Sequence, residues 1–308
     1  MSEKKYDIVA MGEAMVEFNQ TTPGEPTFVQ GFGGDTSNAI IAAARAGART
    51  AYLSAVGDDS FGHMLQGLWR RECVDAAAVA VHSAAPTGIY FVTHGEQGHE
   101  FSYRRAGSAA AQMELSPAQR SALSATRMLH LSGISLAISP LARTQCLQAI
   151  HIAKAAGAQI CFDSNLRLKL WSLDTARKAM QEVIALTDIF LPSLDDVTAL
   201  SGLQAPEAIV QWSHALGAKT VLLKLGEQGV LVSHAGLLTR IPALRVQAVD
   251  ATGAGDCFAG NFLARLCQGD GVSQAALYAN AAASLAVQGF GAVAPLPRPE
   301  AVYPRLAD

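Results

Sequence analysis

The sequence predicts an α/β protein: a mostly parallel, doubly wound sheet with helices on both faces and a small β element attached. Three observations carry this. Apolar strand-like runs alternate with helix-like segments along most of the chain, the order produced by βαβ crossovers. Two segments, at about 16–30 and 87–105, break the alternation and read as antiparallel hairpins. Glycine-rich turns stand where strands end and helices begin, and open α/β sheets collect ligands there.

Asp7–Met11 is the first expected strand. The apolar run is broken by Gly12 and Glu13, so the start at Met1-Ser2-Glu3-Lys4-Lys5 reads as a lead-in to a strand and not as a secretory leader. Ser37–Ala46 reads as a helix closed by Gly47, Thr50–Val56 as a strand and Gly62–Arg71 as a helix. Met128–Ser132 is a strand, followed by a helix from about Pro140 to Ala156 and a strand at Ile160–Asp163. Ile189–Leu191 and Thr220–Lys224 are strands, each after a helical segment. The exceptional segments are Val16–Gln30, with Pro23-Gly24 in its middle, and Thr87–Tyr103, expected to turn at Glu96-Gln97-Gly98. They are expected to form a lid on a single domain over residues 1–308.

Composition narrows the function. A net charge of −3 with no basic block disfavours nucleic acid and anionic membranes as partners. The longest apolar stretch, Ala275–Val287, contains Asn280 and is too short to span a bilayer. The five cysteines are odd in number and form no C-x-x-C pair, which fits free thiols in a reducing, cytoplasmic setting. The histidines show no metal-ligand spacing.

The most specific motif is Asp250-Ala251-Thr252-Gly253-Ala254-Gly255-Asp256, leading into an apolar helical run. Small residues before a helix let backbone amides approach an anion. Asp256 would be repelled by that anion unless it served as a base for a hydroxyl that attacks a phosphate. Gly33-Gly34-Asp35-Thr36-Ser37-Asn38 also precedes a helix; either Asp35 and Asn38 bind hydroxyls, or the run is a glycine turn with Asp or Ser capping the helix. Lys224-Leu225-Gly226-Glu227-Gln228-Gly229 lacks P-loop order and taken alone reads as a β-turn into Val230. Tyr103 and Arg105 share a strand face suited to an oxygen-rich anion, or they guard an edge strand. Asp163–Arg167 either offers Arg167 to a phosphate or carboxylate, or is a capped helix start. Asp195 and Asp196 either hold Mg2+ through water or favour a helix dipole.

In their order along the chain, the Gly33–Asn38 run, Ala55–Gly62 and Asp250–Phe258 resemble the ribokinase-like (PfkB) sugar kinases, from about Ile8 to Pro297. The resemblance implies phosphoryl transfer from ATP with Mg2+. It makes Asp256 the general base and the amides of Gly253, Ala254 and Gly255 the anion hole. It assigns Asn165, Arg167, Ser193, Lys224–Val230 and Asn280 to the nucleotide. Asp250 and Thr252 fall where some members hold a monovalent cation such as K+. The family's N-x-x-E is replaced here by Ser193-Leu194-Asp195-Asp196, which shortens the reach of Asp196 toward Mg2+.

Within that family, Tyr90, Tyr103-Arg104-Arg105 and Asn165-Leu166-Arg167 are similar to the 2-keto-3-deoxygluconate kinases, with fructokinases as the alternative. The likeness implies a sugar-acid site at Gly34, Asp35, Thr36, Ser37, Asn38, Tyr90, Tyr103, Arg104, Arg105, Ile134 and Arg167. It also implies a homodimer formed through the lids. A non-catalytic sugar-binding regulator is the alternative of another class. A nicotinamide dehydrogenase would need G-x-G-x-x-G after the first strand, and Gly12-Glu13-Ala14-Met15 does not supply it.

Overall fold

The computed structural model describes residues 4–95 and 98–306, and all structural statements below concern those residues. Glu96 and Gln97, part of an expected turn, and Met1–Glu3 lie outside them.

In chain order the strands are β1 (Tyr6–Met11), β2 (Met15–Gln20), β3 (Phe28–Gly33), β4 (Thr50–Leu53), β5 (Ala55–Gly57), β6 (Ala80–His82), β7 (Ile89–Gly95), β8 (Gly98–Arg104), β9 (Thr126–Ser132), β10 (Gln159–Asp163), β11 (Ile189–Leu191), β12 (Thr220–Lys224), β13 (Val230–His234) and β14 (Leu237–Ile241). Eight of them form one sheet in the order β14-β13-β12-β11-β10-β9-β1-β4. The run from β12 to β4 is parallel, and β13 and β14 are added antiparallel at one edge.

Helices cover both faces: α1 (Asp35–Arg45), α2 (Ser60–Arg71), α3 (Pro117–Ser124), α4 (Gly133–Ala137), α5 (Pro140–Ala155), α6 (Leu173–Ile184), α7 (Leu194–Ser201), α8 (Pro206–Leu216), α9 (Ala254–Cys267), α10 (Val272–Ala286) and α11 (Pro299–Val302). Alternation along β1 divides the core. Ile8 and Ala10 join the cluster under α1, α9 and α10, while Val9 and Met11 join the one under α5 and α6.

α1 and α9 pack unusually closely because of Gly260. A Cβ there would stand 2.0 Å from the Ala39 carbonyl oxygen and 2.8 Å from Ala42 Cβ. Only glycine permits that approach.

A separate four-stranded sheet has the order β3-β2-β7-β8. Residues 15–33 and 89–104 each form an antiparallel pair, and the two pairs join through parallel β2 and β7. One expected element differs. The strand expected over Thr50–Val56 is two strands, because the Ser54 hydroxyl donates to the Gly12 carbonyl at 2.7 Å. β4 stays on the main sheet, and β5 leaves to pair with β6.

Candidate active site

The site lies at the carboxyl ends of β1, β10 and β12, between the first turns of α1 and α9. Gly34 caps α1 with φ +118°, and a Cβ on it would meet the Glu13 carbonyl oxygen at 2.4 Å. Asp35 Oδ1 accepts from the Thr36 amide at 2.8 Å, and its Oδ2 accepts from Asn165 Nδ2 at 2.9 Å. Asn38, one turn along, donates Nδ2 to Asp256 Oδ2 at 2.8 Å. Its Oδ1 is buried without a partner, an acceptor suited to a ligand hydroxyl.

Asp256 sits in the first turn of α9. Burial pushes its carboxyl up to about 7, and the negative charge of Asp35 adds to the rise, while Asn38 and Lys224 oppose it. A carboxyl near 7 can take a proton at neutral pH and release it again.

The start of α9 suits an anion. Gly253 caps it at φ +75° with no side-chain cap, so the leading amides are left for a ligand. A Cβ on Gly255 would stand 3.2 Å from Lys224 Nζ. Lys224 Nζ in turn donates to Asp163 Oδ2 at 2.5 Å. Burial raises the Asp163 carboxyl, and Lys224 partly offsets the rise.

Lys224 pairs with Val230 across β12 and β13, and the Leu225 amide donates to Gly229 O at 2.8 Å. The loop is therefore a hairpin turn that leaves Glu227 and Gln228 exposed. Asn280 is buried in α10 and donates Nδ2 to Pro242 O at 2.6 Å. Asp250 Oδ1 accepts from the Thr252 amide at 2.9 Å and from its hydroxyl at 2.6 Å, and Oδ2 accepts from the Gly291 amide at 2.9 Å. The Ser193 hydroxyl caps α7 by accepting from the Asp196 amide. Asp196 Oδ2 accepts from Ser164 Oγ at 2.7 Å and the Leu166 amide at 3.1 Å. Among the described residues no three of His, Cys, Asp or Glu cluster closely enough to hold a metal ion.

The small sheet brings its own groups. Tyr90 and Tyr103 face each other across β7 and β8 with ring centres 5.7 Å apart. Tyr90 donates its hydroxyl to Glu17, whose carboxyl is raised by burial. Arg105 lies 5.9 Å from the Tyr103 ring. Burial raises the Tyr103 phenol and the charges of Arg167 and Arg105 oppose the rise, so both guanidinium groups act on that ring.

A family model for the pfkB family carbohydrate kinases matches residues 5–299. The chain belongs to the PfkB family of carbohydrate kinases. It is 35% identical to the 2-dehydro-3-deoxygluconokinase of Thermoproteus tenax over 97% of this chain and 93% of that one. It is 33% identical to fructokinase-1 of Oryza sativa subsp. japonica over 96% of each. A Vibrio cholerae O395 fructokinase, crystallised with fructose, ADP and calcium ion, superposes with a TM-score of 0.86 at 27% identity, covering 98% of this chain and 99% of that one.

In this PfkB kinase the structure brings Asp35, Asn38, Asn165, Lys224, Gly255 and Asp256 together. Three expected contributors are placed differently. Thr36 Oγ1 pairs with the buried Tyr52 hydroxyl at 3.1 Å, and Ser37 Oγ accepts from Trp69 Nε1 at 2.9 Å. Both side chains therefore belong to the scaffold. Arg104 falls on the opposite face of β8 from Tyr103 by strand alternation; it is exposed and donates to the Tyr103 carbonyl at 3.0 Å. Arg167 stays within electrostatic reach of the Tyr103 ring; it is exposed and donates Nη1 to Leu166 O at 2.8 Å. Ile134 is half-buried in α4.

Sequence reasoning missed the acidic partners. Arg105 Nε donates to Glu13 Oε2 at 2.7 Å, and Ser108 Oγ donates to Glu13 Oε1. Glu13 is 1% exposed and lies 92 residues from Arg105. Glu17 and Asp163 were missed similarly. A carboxylate within or directly after an apolar strand run was the available signal, since such a group is rarely buried unpaired.

Proposed function

We propose that this PfkB kinase transfers the terminal phosphoryl group of ATP to a hydroxyl of a sugar acid, most specifically 2-keto-3-deoxygluconate at its 6-position. The observation that carries the acid assignment is the pairing of Tyr103 with Arg105, under the combined charge of Arg105 and Arg167. Arginine offers a carboxylate two parallel donors.

Asp256 orients the acceptor hydroxyl and takes its proton as the new O–P bond forms. Asn38 holds Asp256 through one oxygen and leaves the other for the hydroxyl. The Gly253, Ala254 and Gly255 amides supply fixed positive dipoles where phosphoryl charge gathers. Leu225–Val230 and Asn280, with Asn165, Arg167 and Ser193, form the nucleotide side, and Lys224 at the head of that loop faces the terminal phosphoryl group rather than ADP. Asp196, whose Oδ2 is held by Ser164 and the Leu166 amide, would hold Mg2+ through water, and the metal would supply neutralisation of phosphate charge. Asp250 and Thr252 stand for a monovalent cation. The four-stranded sheet serves as a lid on a single domain and excludes water from the site.

A neutral ketose is the second reading. It is favoured by one observation: Arg105 already has a buried carboxylate partner in Glu13. Coupled ATP-consumption assays across sugar acids and ketoses decide between the two. Turnover of the 3-deoxy-2-keto acid well above fructose supports the first reading; the reverse order overturns it. Turnover of neither would favour a binding regulator.

We also place the kinase in the cytoplasm as a homodimer joined through the small sheets, whose outer strands β3 and β8 leave open edges. No helix among the described residues is long and apolar enough to cross a membrane.

A further inference from the structure

We propose that Lys224 is a catalytic residue of the phosphoryl transfer, and that Asp163 is the positioning residue that holds its ammonium for that task. The inference rests on the kinase reading and is independent of which sugar is the acceptor.

Lys224 ends β12 and Asp163 ends β10, with β11 lying between them in the sheet. The lysine side chain therefore reaches across a whole strand to meet Asp163 at 2.5 Å. Both groups are largely buried, with 14% and 5% of their side chains exposed. The same ammonium stands 3.2 Å from where a Gly255 Cβ would be, against the first turn of α9. This location is unfavourable for a cation by itself. The N-terminus of a helix carries positive partial charge, and burial removes water. An anion must share the location, and Asp163 provides one.

Asp163 does not exhaust the ammonium. A lysine has three N–H donors, and this one makes a single hydrogen bond among the described residues. The remaining donors lie beside the uncapped amides of α9, where a phosphoryl group would be held. The charge of Lys224 also acts on Asp256, lowering a carboxyl that burial raises. One cation thus faces the proton acceptor and the anion cradle together. A surface ion pair between strand ends would account for neither the burial nor the contact with Gly255.

The role follows from the reaction. The acceptor oxygen gives its proton to Asp256 and forms a bond to phosphorus. The bond from phosphorus to the bridging oxygen of ADP breaks, and its electron pair leaves with ADP. Lys224 keeps its proton throughout and offsets charge on the oxygens of the group in transit. Asp163 keeps the ammonium from turning toward Asp256 or Asp35, either of which would neutralise the wrong partner.

The test uses the whole enzyme with whichever acceptor the wild type phosphorylates best. Lys224→Met keeps the volume and removes the charge. We expect kcat to fall about 10²- to 10³-fold, as when one preorganised transition-state donor is lost. ADP affinity, measured calorimetrically, should change less than about threefold. Affinity for ADP with aluminium fluoride and sugar, a mimic of the group in transit, should fall about 100-fold or more. Lys224→Arg should recover part of the mimic's affinity, and Asp163→Asn should lose about tenfold in kcat with ADP affinity kept.

A Lys224→Met enzyme within threefold of wild-type kcat overturns the proposal. So does equal loss of affinity for ADP and for the mimic, which would make the pair a strut. Should Lys224→Met unfold because Asp163 is left unpaired, Asp163→Asn/Lys224→Met removes both charges and is read by the same criteria. A wild type that phosphorylates no sugar contradicts the proposed function itself, and the catalytic role of Lys224 falls with it; an active wild type with an unimpaired Lys224→Met overturns the role of Lys224 alone.

Discussion

Asn38 Nδ2 donates to Asp256 Oδ2 at 2.8 Å across 218 positions of chain. The bond ties the helix that carries the expected sugar loop to the helix that carries the expected base. It also fixes one carboxylate oxygen of Asp256. The distance depends on how closely α1 and α9 pack, and so on Gly260 against Ala39 and Ala42.

Gly260→Ala is expected to force those helices apart. Overpacking of a tight contact costs about 1–3 kcal/mol, so denaturant unfolding should show a loss in that range. Because the shift also lengthens the Asn38–Asp256 bond, kcat should fall while ADP affinity holds. A variant as stable and active as wild type would remove this packing from the account.

Asp256 should set the acid limb of activity. Its carboxyl is raised to about 7 by burial and by Asp35, and the base acts only when ionised. In the free enzyme kcat/KM should therefore rise with pH through about 7 and level off above it. Asp35→Asn removes the second cause of the rise and should move the limb to lower pH. A limb that stays in place would assign it to another group.

The same shift has a stability consequence. The folded Asp256 carboxyl binds its proton more tightly than the unfolded one, so its contribution is fully present at low pH and is lost as pH rises through about 7. Asp256→Asn mimics the protonated form at every pH. Its Tm should exceed that of wild type more at pH 8 than at pH 5. Thermal scans showing an equal or reversed difference would contradict the buried, ionising Asp256.

Arg105 needs a paired test. Glu13 is buried at 1% exposure and relies on Arg105 and Ser108. Arg105→Ala alone leaves a buried charge uncompensated, which typically costs about 3–5 kcal/mol. Glu13→Gln/Arg105→Ala should recover much of that loss in chemical denaturation. Compared with Glu13→Gln, the double variant should raise KM for the sugar acid about tenfold or more and change KM for fructose little. Equal changes on both acceptors would favour the ketose reading.

The sheet, its helices and the glycine-led start of α9 with Asp256 in its first turn were legible because they are local signals: apolar runs of strand length, glycines before helices, a carboxylate at a helix start. The break at Ser54 was hidden because strand-like residues stand on both sides of it, and the Ser54 hydroxyl finds its partner in the distant Gly12 carbonyl. Thr36 and Ser37 looked like ligand groups for a related reason. Their partners Tyr52 and Trp69 come from β4 and α2, and nothing in the loop announces them. Glu13 with Arg105 and Asp163 with Lys224 lie 92 and 61 residues apart. Such pairs follow from strand order, which the sequence does not encode in any short window.

The central claim is that Asp256 is the base of a sugar kinase. Its most direct test is single-turnover and steady-state phosphorylation by Asp256→Asn, with ADP and sugar binding measured on the same preparation. The account predicts a kcat lowered about 10²-fold or more with both ligands still bound. Turnover close to wild type with intact binding would contradict it.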